Sequence, residues 1–527
     1  MLAVALAVSL GGCGQLGGDT RYAAPREPAG ADAPVPSPAP AAPPVGLGPA
    51  ELPVSVAIGY ARRDADRKLA FERWRLSELA KARRSTTVAG ALRRSLLARD
   101  ITRREHDRLR GDYAAARAAL GRLSGLRRAE LASVVGHVDA LAASHQLTTG
   151  RLAPVFLVLR RNRRFWTSNT SFPAAHDRTT FGRDPAVFQY YPGQGMQLQQ
   201  LASWGRVNAA LGLCLQRGAR CTGRARLRRA LDRLVGLAAP RAGFLAWEYY
   251  FSFAGGTPPW ISGMTQGTAI QALARGARVF RARSYRRVAV RALGAFRAPP
   301  PVGVSVPAPG GRHYLMYSFS PGLRILNGDL QAITGLRDLA VLGRSRSARV
   351  LYARGERAAR RAVGRFDTGA WSLYSQDGRE STLGYHQLVS QFLGNLCRRT
   401  DRRTYCTANR RFVRYEHEPP RIGIGRLTGL RARRVTTVRF SLSKLATVDV
   451  RVSGARGVTL DRRLSLERGS HAVPWVPPAR GRYRVRVVAQ GPSGPRGVSD
   501  ESVRVVLPKP KPKPKRKPRP HRTRARK

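Results

Sequence analysis

The chain has 527 residues, 43% of them hydrophobic, enough for roughly two to four domains with large buried cores. Lys and Arg number 94 against 32 Asp and Glu, a formal net charge of +62. Such a charge restricts a charge-driven partner to a polyanion (nucleic acid, acidic cell-wall polymer or acidic polysaccharide), or it reflects a GC-rich coding habit, since Ala, Gly and Pro are abundant too.

The N-terminus narrows this choice. Residues 1–13 are a short apolar run ending in Leu10-Gly11-Gly12-Cys13, similar to a bacterial lipoprotein signal with Cys13 as the lipidated residue. The run lacks a basic n-region, so a start further upstream is compatible, as are an ordinary signal and an uncleaved anchor. Each version puts the body outside the cytoplasm, as a membrane-anchored lipoprotein or a secreted protein, and counts against nucleic acid as the partner. The remaining cysteines agree. Cys214 and Cys221, then Cys397 and Cys406, form two close pairs. Four cysteines allow three pairings. Proximity favours these two, each closing a short loop worth roughly 2–3 kcal/mol. Neither spacing suits a zinc ribbon, and no histidine cluster accompanies them; no metal ligand and no cofactor is assigned from the sequence.

Residues 14–53 are rich in Ala, Pro and Gly and read as an extended tether. Residues 54–150 turn helical, with Leu109, Tyr113, Ala116, Leu120 and Leu123 at helical spacing and Leu131, Val135, Val138 and Leu141 continuing it. These helices are short of large apolar residues and are expected to pack on the next domain, with Trp74 and Tyr60 as packing residues. Residues 151–420 alternate helical segments with Gly/Pro/aromatic loops. A helix is expected from about Gln197, then at Ala225–Leu237, Gly267–Phe280, Tyr285–Phe296, Gly328–Leu342 and Ser345–Arg365. Repeated helix pairs of this kind give a mainly α fold, an α/α toroid with a cleft made by the loops at one end.

From 434 to 507 the period becomes two. Val438, Phe440 and Leu442 alternate with polar residues, as do Val448, Val450 and Val452, and Tyr483, Val485 and Val487. This predicts a small all-β sandwich of immunoglobulin or fibronectin type. Residues 508–527 alternate Lys and Pro and cannot fold. They are a possible grip on an anionic polymer or lipid.

Four segments then resemble the D-glucuronyl C5-epimerase family. The stretch Pro258 to Val279 carries Trp260, Ser262, Met264, Gln266 and Gly267, similar to the family's Trp and Ser before Met-x-Gln-Gly and a helix. It is preceded by an aromatic strand-like run, Trp247 to Gly255. Tyr317, Leu326, Asn327 and Gly328 match a tyrosine, a proline-containing loop and Leu-Asn-Gly. Asp367, Thr368, Gly369 and Tyr374 match Asp-Thr-Gly before a catalytic tyrosine, and Tyr385-His386 match a Tyr-His pair. The run Tyr190 to Gly195 is similar to the cleft segment more loosely. The resemblance covers roughly Phe165 to Tyr415.

It implies inversion at C5 of a glucuronate unit within an acidic polysaccharide. A base removes the proton alpha to the carboxylate, the enolate-like species is stabilised, and an acid returns a proton on the other face. Tyrosines serve in this family, which makes Tyr317, Tyr374 and Tyr385 the candidate catalytic set. Substrate contacts fall to His386, Gln266, Arg324, Asn327 and Tyr191. A phenol ordinarily titrates near 10, so a working phenolate needs nearby cations, and arginine supplies them.

The chain also departs from the family pattern. Met316 stands where the family has a glutamate, and Tyr374-Ser375-Gln376-Asp377-Gly378 replaces Tyr-Asp-Leu-Arg-His. Glu248, Asp377 or Glu380 are the acidic groups able to substitute. Two other readings remain: a polysaccharide lyase on a similar toroid, which expels the C4 substituent after the same proton abstraction, and a non-catalytic binder of anionic envelope polymers.

Overall fold

The structure, a computed structural model, describes residues 54–168 and 171–507, with side chains from residue 67 onward. Cys13, the 14–53 tether, the side chain of Tyr60 and the basic tail lie outside the described residues. The chain divides into two compact units, one up to Arg361 and one from Ala362.

The first unit opens with five helices: α1 (Val54–Arg84), α2 (Val88–Leu97), α3 (Arg103–Leu120), α4 (Gly125–Ala143) and α5 (Thr149–Ser168). Thr87 and Thr102 cap α2 and α3, their hydroxyls accepting from the amides of Gly90 and Glu105. Helices α3 and α4 pack on α5, as their thin apolar faces require. Trp74 differs from expectation. It is half-exposed on α1, beside Phe71.

A three-stranded antiparallel sheet follows, β1 (Arg178–Thr180), β2 (Val187–Tyr191) and β3 (Gly195–Leu198). The buried carboxylate of Glu130 on α4 fixes its second turn by accepting from the Tyr190 hydroxyl and from the amides of Gly193 and Gly195. Because Gly195–Leu198 pairs as a strand, the helix expected from Gln197 begins instead at Gln200.

Three helix pairs complete the unit. They are α6 (Gln200–Arg217) with α7 (Arg224–Val235), α8 (Gly263–Val279) with α9 (Arg283–Arg291), and α10 (Leu326–Val341) with α11 (Arg346–Ala362). Hairpins β4 (Ala239–Arg241) to β5 (Phe244–Ala246) and β6 (Ser305–Ala308) to β7 (Gly311–Tyr314) lie in the connections. The pairs have an inner and an outer member. Helix α8 is buried along nearly its whole length between α6 and α10. Helices α7, α9 and α11 are arginine-rich and bury one face each. This alternation is how an α/α toroid is built. The inner helices touch at glycine. A methyl on Gly267 would lie 2.6 Å from the Cα of Ala332, and one on Gly335 would run into the carbonyl of Gly267. A polar chain crosses all three inner helices. Asn208 and Gln331 donate to the Gln271 amide oxygen at 2.8 and 2.9 Å, and Gln271 donates to Asp338 at 2.8 Å.

The second unit holds α12 (Leu383–Thr400) and α13 (Arg403–Tyr415), then β8 (Ile422–Ile424), β9 (Thr436–Leu442), β10 (Ala446–Gly454), β11 (Gly457–Leu466), β12 (Gly469–Trp475), β13 (Gly481–Gln490) and β14 (Gly497–Val505). The strands form two antiparallel sheets, ordered β11-β10-β13-β14 and β12-β9-β8. They share one core, in which Val438, Phe440 and Trp475 of one sheet meet Val448, Val450, Val485 and Val487 of the other. Each such side chain contributes ~1.5–3 kcal/mol.

The sandwich is bonded to the helix pair. Lys444, fully buried in the β9–β10 turn, donates to the carbonyls of Tyr415, the last residue of α13, at 2.8 Å and of Glu418 just beyond it at 2.6 Å. Its ammonium also lies 5.0 Å from the centre of the Trp371 ring. Both expected disulfides are formed, Cys214–Cys221 in the first unit and Cys397–Cys406 in the second.

Candidate active site

In the first unit, Tyr317 stands on the loop between β7 and α10. The loop is pinned to the start of α8: Gly263 donates to Leu315 at 3.0 Å, Ser318 donates to Ile261 at 2.9 Å, and the Ser318 hydroxyl accepts from Ile261. Tyr317 is half-buried at the edge of an aromatic cluster, T-shaped against Trp260 and stacked on Phe319, with centroids at 5.8 and 5.4 Å. Met316, in the place of the family's glutamate, is buried. Its sulfur accepts from Ser262, the cap of α8, and its side chain covers Gly328 on α10.

The first turn of α10 carries unsatisfied polarity. Both amide atoms of Asn327 are buried without a protein partner, as is one guanidinium nitrogen of Arg324. Burial pushes the Arg324 pKa down, and Asp329 partly offsets this. Asp329 itself accepts from the Tyr314 amide at 2.8 Å and faces His313 at 3.2 Å. Buried polar atoms are nearly always paired, so Asn327 and Arg324, among several buried unpaired polar groups of this unit, are ones on this loop and helix start that a ligand could satisfy.

Other named residues are occupied. Gln266 is fully buried, donating to the Trp247 carbonyl at 2.9 Å and accepting from its amide at 3.2 Å, so it positions the aromatic run. That run is not a regular strand. It holds bridges between Tyr249 and Trp260 and between Phe253 and Gly256. Glu248 is buried between Arg151 at 2.6 Å and Arg241 at 2.7 Å and is unavailable as a substitute acid. Tyr191 accepts from Gln199 at 2.9 Å, and burial raises its pKa, so it is a neutral packing group. Tyr249 lies flat on Trp260, and burial pushes its phenol up to about 12.

In the second unit, Tyr374 and Tyr385 come together with ring centroids 4.7 Å apart. Tyr385 opens α12, and Tyr374 begins a turn closed by its amide donating to the Arg379 carbonyl at 2.7 Å. Gly378 in that turn has φ +96°, a conformation that favours glycine. Asp377 is exposed and accepts from Arg379 within the turn. Glu380 is committed to the sandwich, accepting from the amides of Leu445 at 3.2 Å and Arg468 at 2.8 Å, and burial raises its pKa.

His386 does not join the tyrosines as a proton carrier. It is fully buried, with Nε2 2.8 Å from the Phe412 carbonyl and Nδ1 2.8 Å from the Ser372 hydroxyl. A carbonyl only accepts, so Nε2 carries the hydrogen and Nδ1 accepts from Ser372. Burial lowers its pKa, and the neutral ring is a core element. Lys444 and the ion pair of Arg411 with Asp367, at 3.1 Å and joined by the Tyr415 hydroxyl, were not visible in the sequence. No spacing rule links a turn lysine to a helix end some thirty residues away.

Known proteins match this chain over its middle. A family model described as the D-glucuronyl C5-epimerase C-terminus matches residues 242–414. A D-glucuronyl C5-epimerase of Caenorhabditis elegans is 31% identical over 140 residues, 24% of this chain and 22% of that protein, so the chain spans about a fifth of that relative's length. Among solved structures, cellobiose 2-epimerase from Spirochaeta thermophila aligns over 50% of this chain and 68% of its own at 16% identity and a TM-score of 0.32. A family 15 glucoamylase from Hypocrea jecorina aligns over 71% and 76% at 10% identity and a TM-score of 0.27. With its tyrosines and helix-opening motifs inside the matched span, residues 242–414 of this chain are similar to the C-terminal region of the D-glucuronyl C5-epimerases.

Proposed function

We propose that the protein is a uronic acid C5-epimerase acting on an acidic polysaccharide, converting D-glucuronate to L-iduronate units. The observation that carries this reading is the contact of Tyr374 and Tyr385, two phenols 4.7 Å apart between ring centroids inside the matched segment. A phenolate takes the C5 proton, the electron pair moves into the carboxylate to give an enolate, and a phenol returns a proton to C5 on the opposite face. Nothing is oxidised, and the base is regenerated by exchange with water. We assign these transfers to the set Tyr317, Tyr374 and Tyr385. Arg324 and Asn327 of the first unit, with buried unpartnered nitrogens and oxygen, are assigned to substrate contact, and electrostatic stabilisation of the developing charge is the largest expected contribution. Gln266, His386 and Tyr191 take positioning roles.

The two disulfides fit an extracytoplasmic protein, and we place the chain there, anchored through Cys13 or secreted. Incubation with heparosan in deuterated water tests the reading. Deuterium at C5 together with iduronate supports it. An unsaturated uronate would make the protein a lyase, and salt-sensitive retention without either product would make it a binder.

A further inference from the structure

The outer face of the sheet β11-β10-β13-β14 sets like charges side by side. Arg482, Arg484 and Arg486 project from alternate positions of β13, all exposed. Alternate residues are roughly 7 Å apart along a strand, and neighbouring strands roughly 5 Å apart. Across the strands Arg482 pairs directly with Arg504 of β14, and Arg486 pairs directly with Arg451 of β10. Like charges directly opposite one another destabilise a sheet. Of the carboxylate neighbours, Asp500 lies directly opposite Arg486 in register but binds Arg484 at 2.9 Å, and Asp461 binds Arg451 at 2.8 Å. Arg482, Arg486 and Arg504 make no salt bridge among the described residues.

We propose that this face is a docking surface for an acidic polysaccharide chain, laid along β13 with its anionic groups bridging the Arg482–Arg504 and Arg451–Arg486 pairs. Guanidinium forks match carboxylate and sulfate oxygens in pairs. The row is extended along the strand, which fits a linear polymer better than a compact ligand. Among the described residues, this face carries no aromatic ring on which a base would stack, and no Trp, Phe or Leu to insert into a bilayer. The sandwich then supplies affinity for the polymer, separately from turnover. The choice of polymer rests on the proposed epimerase activity.

The test compares two triple variants of the full chain on immobilised heparosan across a salt gradient. One is Arg482→Ser/Arg486→Ser/Arg504→Ser. The other removes the same charge from exposed helix positions, Arg226→Ser/Arg229→Ser/Arg349→Ser. The sheet variant is expected to bind at least tenfold more weakly and with a shallower salt dependence, while the helix variant changes less than threefold. Its unfolding temperature should hold or rise, because two repulsive pairs are gone. Equal losses in the two variants, or no loss in the sheet variant, overturn the proposal. So does a loss confined to duplex DNA or to phosphatidylglycerol vesicles. Binding measured on Tyr374→Phe separates the two readings. If it binds heparosan through the sheet face but wild type forms no iduronate, the activity reading fails and the docking surface stands; the reverse outcome sinks only the docking surface.

Discussion

His386 lies flat on Trp371, their ring centroids 3.7 Å apart and their planes 7° from parallel. The stack sits between Ser372 and the Phe412 carbonyl, and its burial disfavours the charged form of the ring. Burial sets the folded pKa below the ordinary 6.5. Between those two values the unfolded chain binds the extra proton. Stability is therefore whole above about pH 6.5 and is lost as pH falls through the depressed value. The urea midpoint should fall from pH 7 to pH 5, and His386→Gln should lower the midpoint at pH 7 while flattening that part of its pH dependence. An unchanged pH dependence would remove this role.

Replacing Tyr374 or Tyr385 by Phe keeps the ring contact and removes the hydroxyl. Each should lower C5 deuterium incorporation ~10²–10⁴-fold with little change in polymer binding. Full activity in both variants would reassign the proton transfers.

Arg324→Met should weaken transition-state stabilisation by ~2–3 kcal/mol, since a charge-assisted hydrogen bond is lost. The measurement is kcat/KM on heparosan. Arg324→Lys should recover only part of the loss, because a lysine cannot present a guanidinium fork.

Gly335→Ala should destabilise by ~1–3 kcal/mol, through a methyl forced against the Gly267 carbonyl where α8 and α10 cross. Thermal unfolding reads this directly. The glycine of the Met-x-Gln-Gly motif is thus a packing requirement as well as a family mark.

Glu248→Gln leaves Arg151 and Arg241 as buried cations without their carboxylate. Loss of one partner from a buried ion network costs ~3–5 kcal/mol. A denaturation midpoint close to wild type would show that water reaches the pair.

Helix positions and strand alternation were legible in the sequence because both are periodic. Val448, Val450 and Val452 are all buried, and the predicted helices from Ala225 to Arg365 fall within a few residues of those observed. The tyrosine pair was legible through motif order. What the sequence hid was how each polar group is spent. Glu248, Glu380 and His386 all carry residue types suited to chemistry. Their long-range partners, Arg151, Arg468 and Phe412, turn them into structural groups. Conversely Asn327 reads as one polar residue among many until its amide is found buried and unpaired.

Lys444 and Glu380 join the sandwich to the helices in opposite senses, a cation entering from the strands and a carboxylate reaching out from the helical side. The β region is consequently no removable cassette. A chain shortened after Pro420 would uncover the face of Trp371, strip the carbonyls of Tyr415 and Glu418 of their donor and leave Glu380 without the amides of Leu445 and Arg468. Loss of activity on such trimming would report damage to the tyrosine-bearing turn, so the sandwich's own contribution to polymer capture is best isolated by surface substitution.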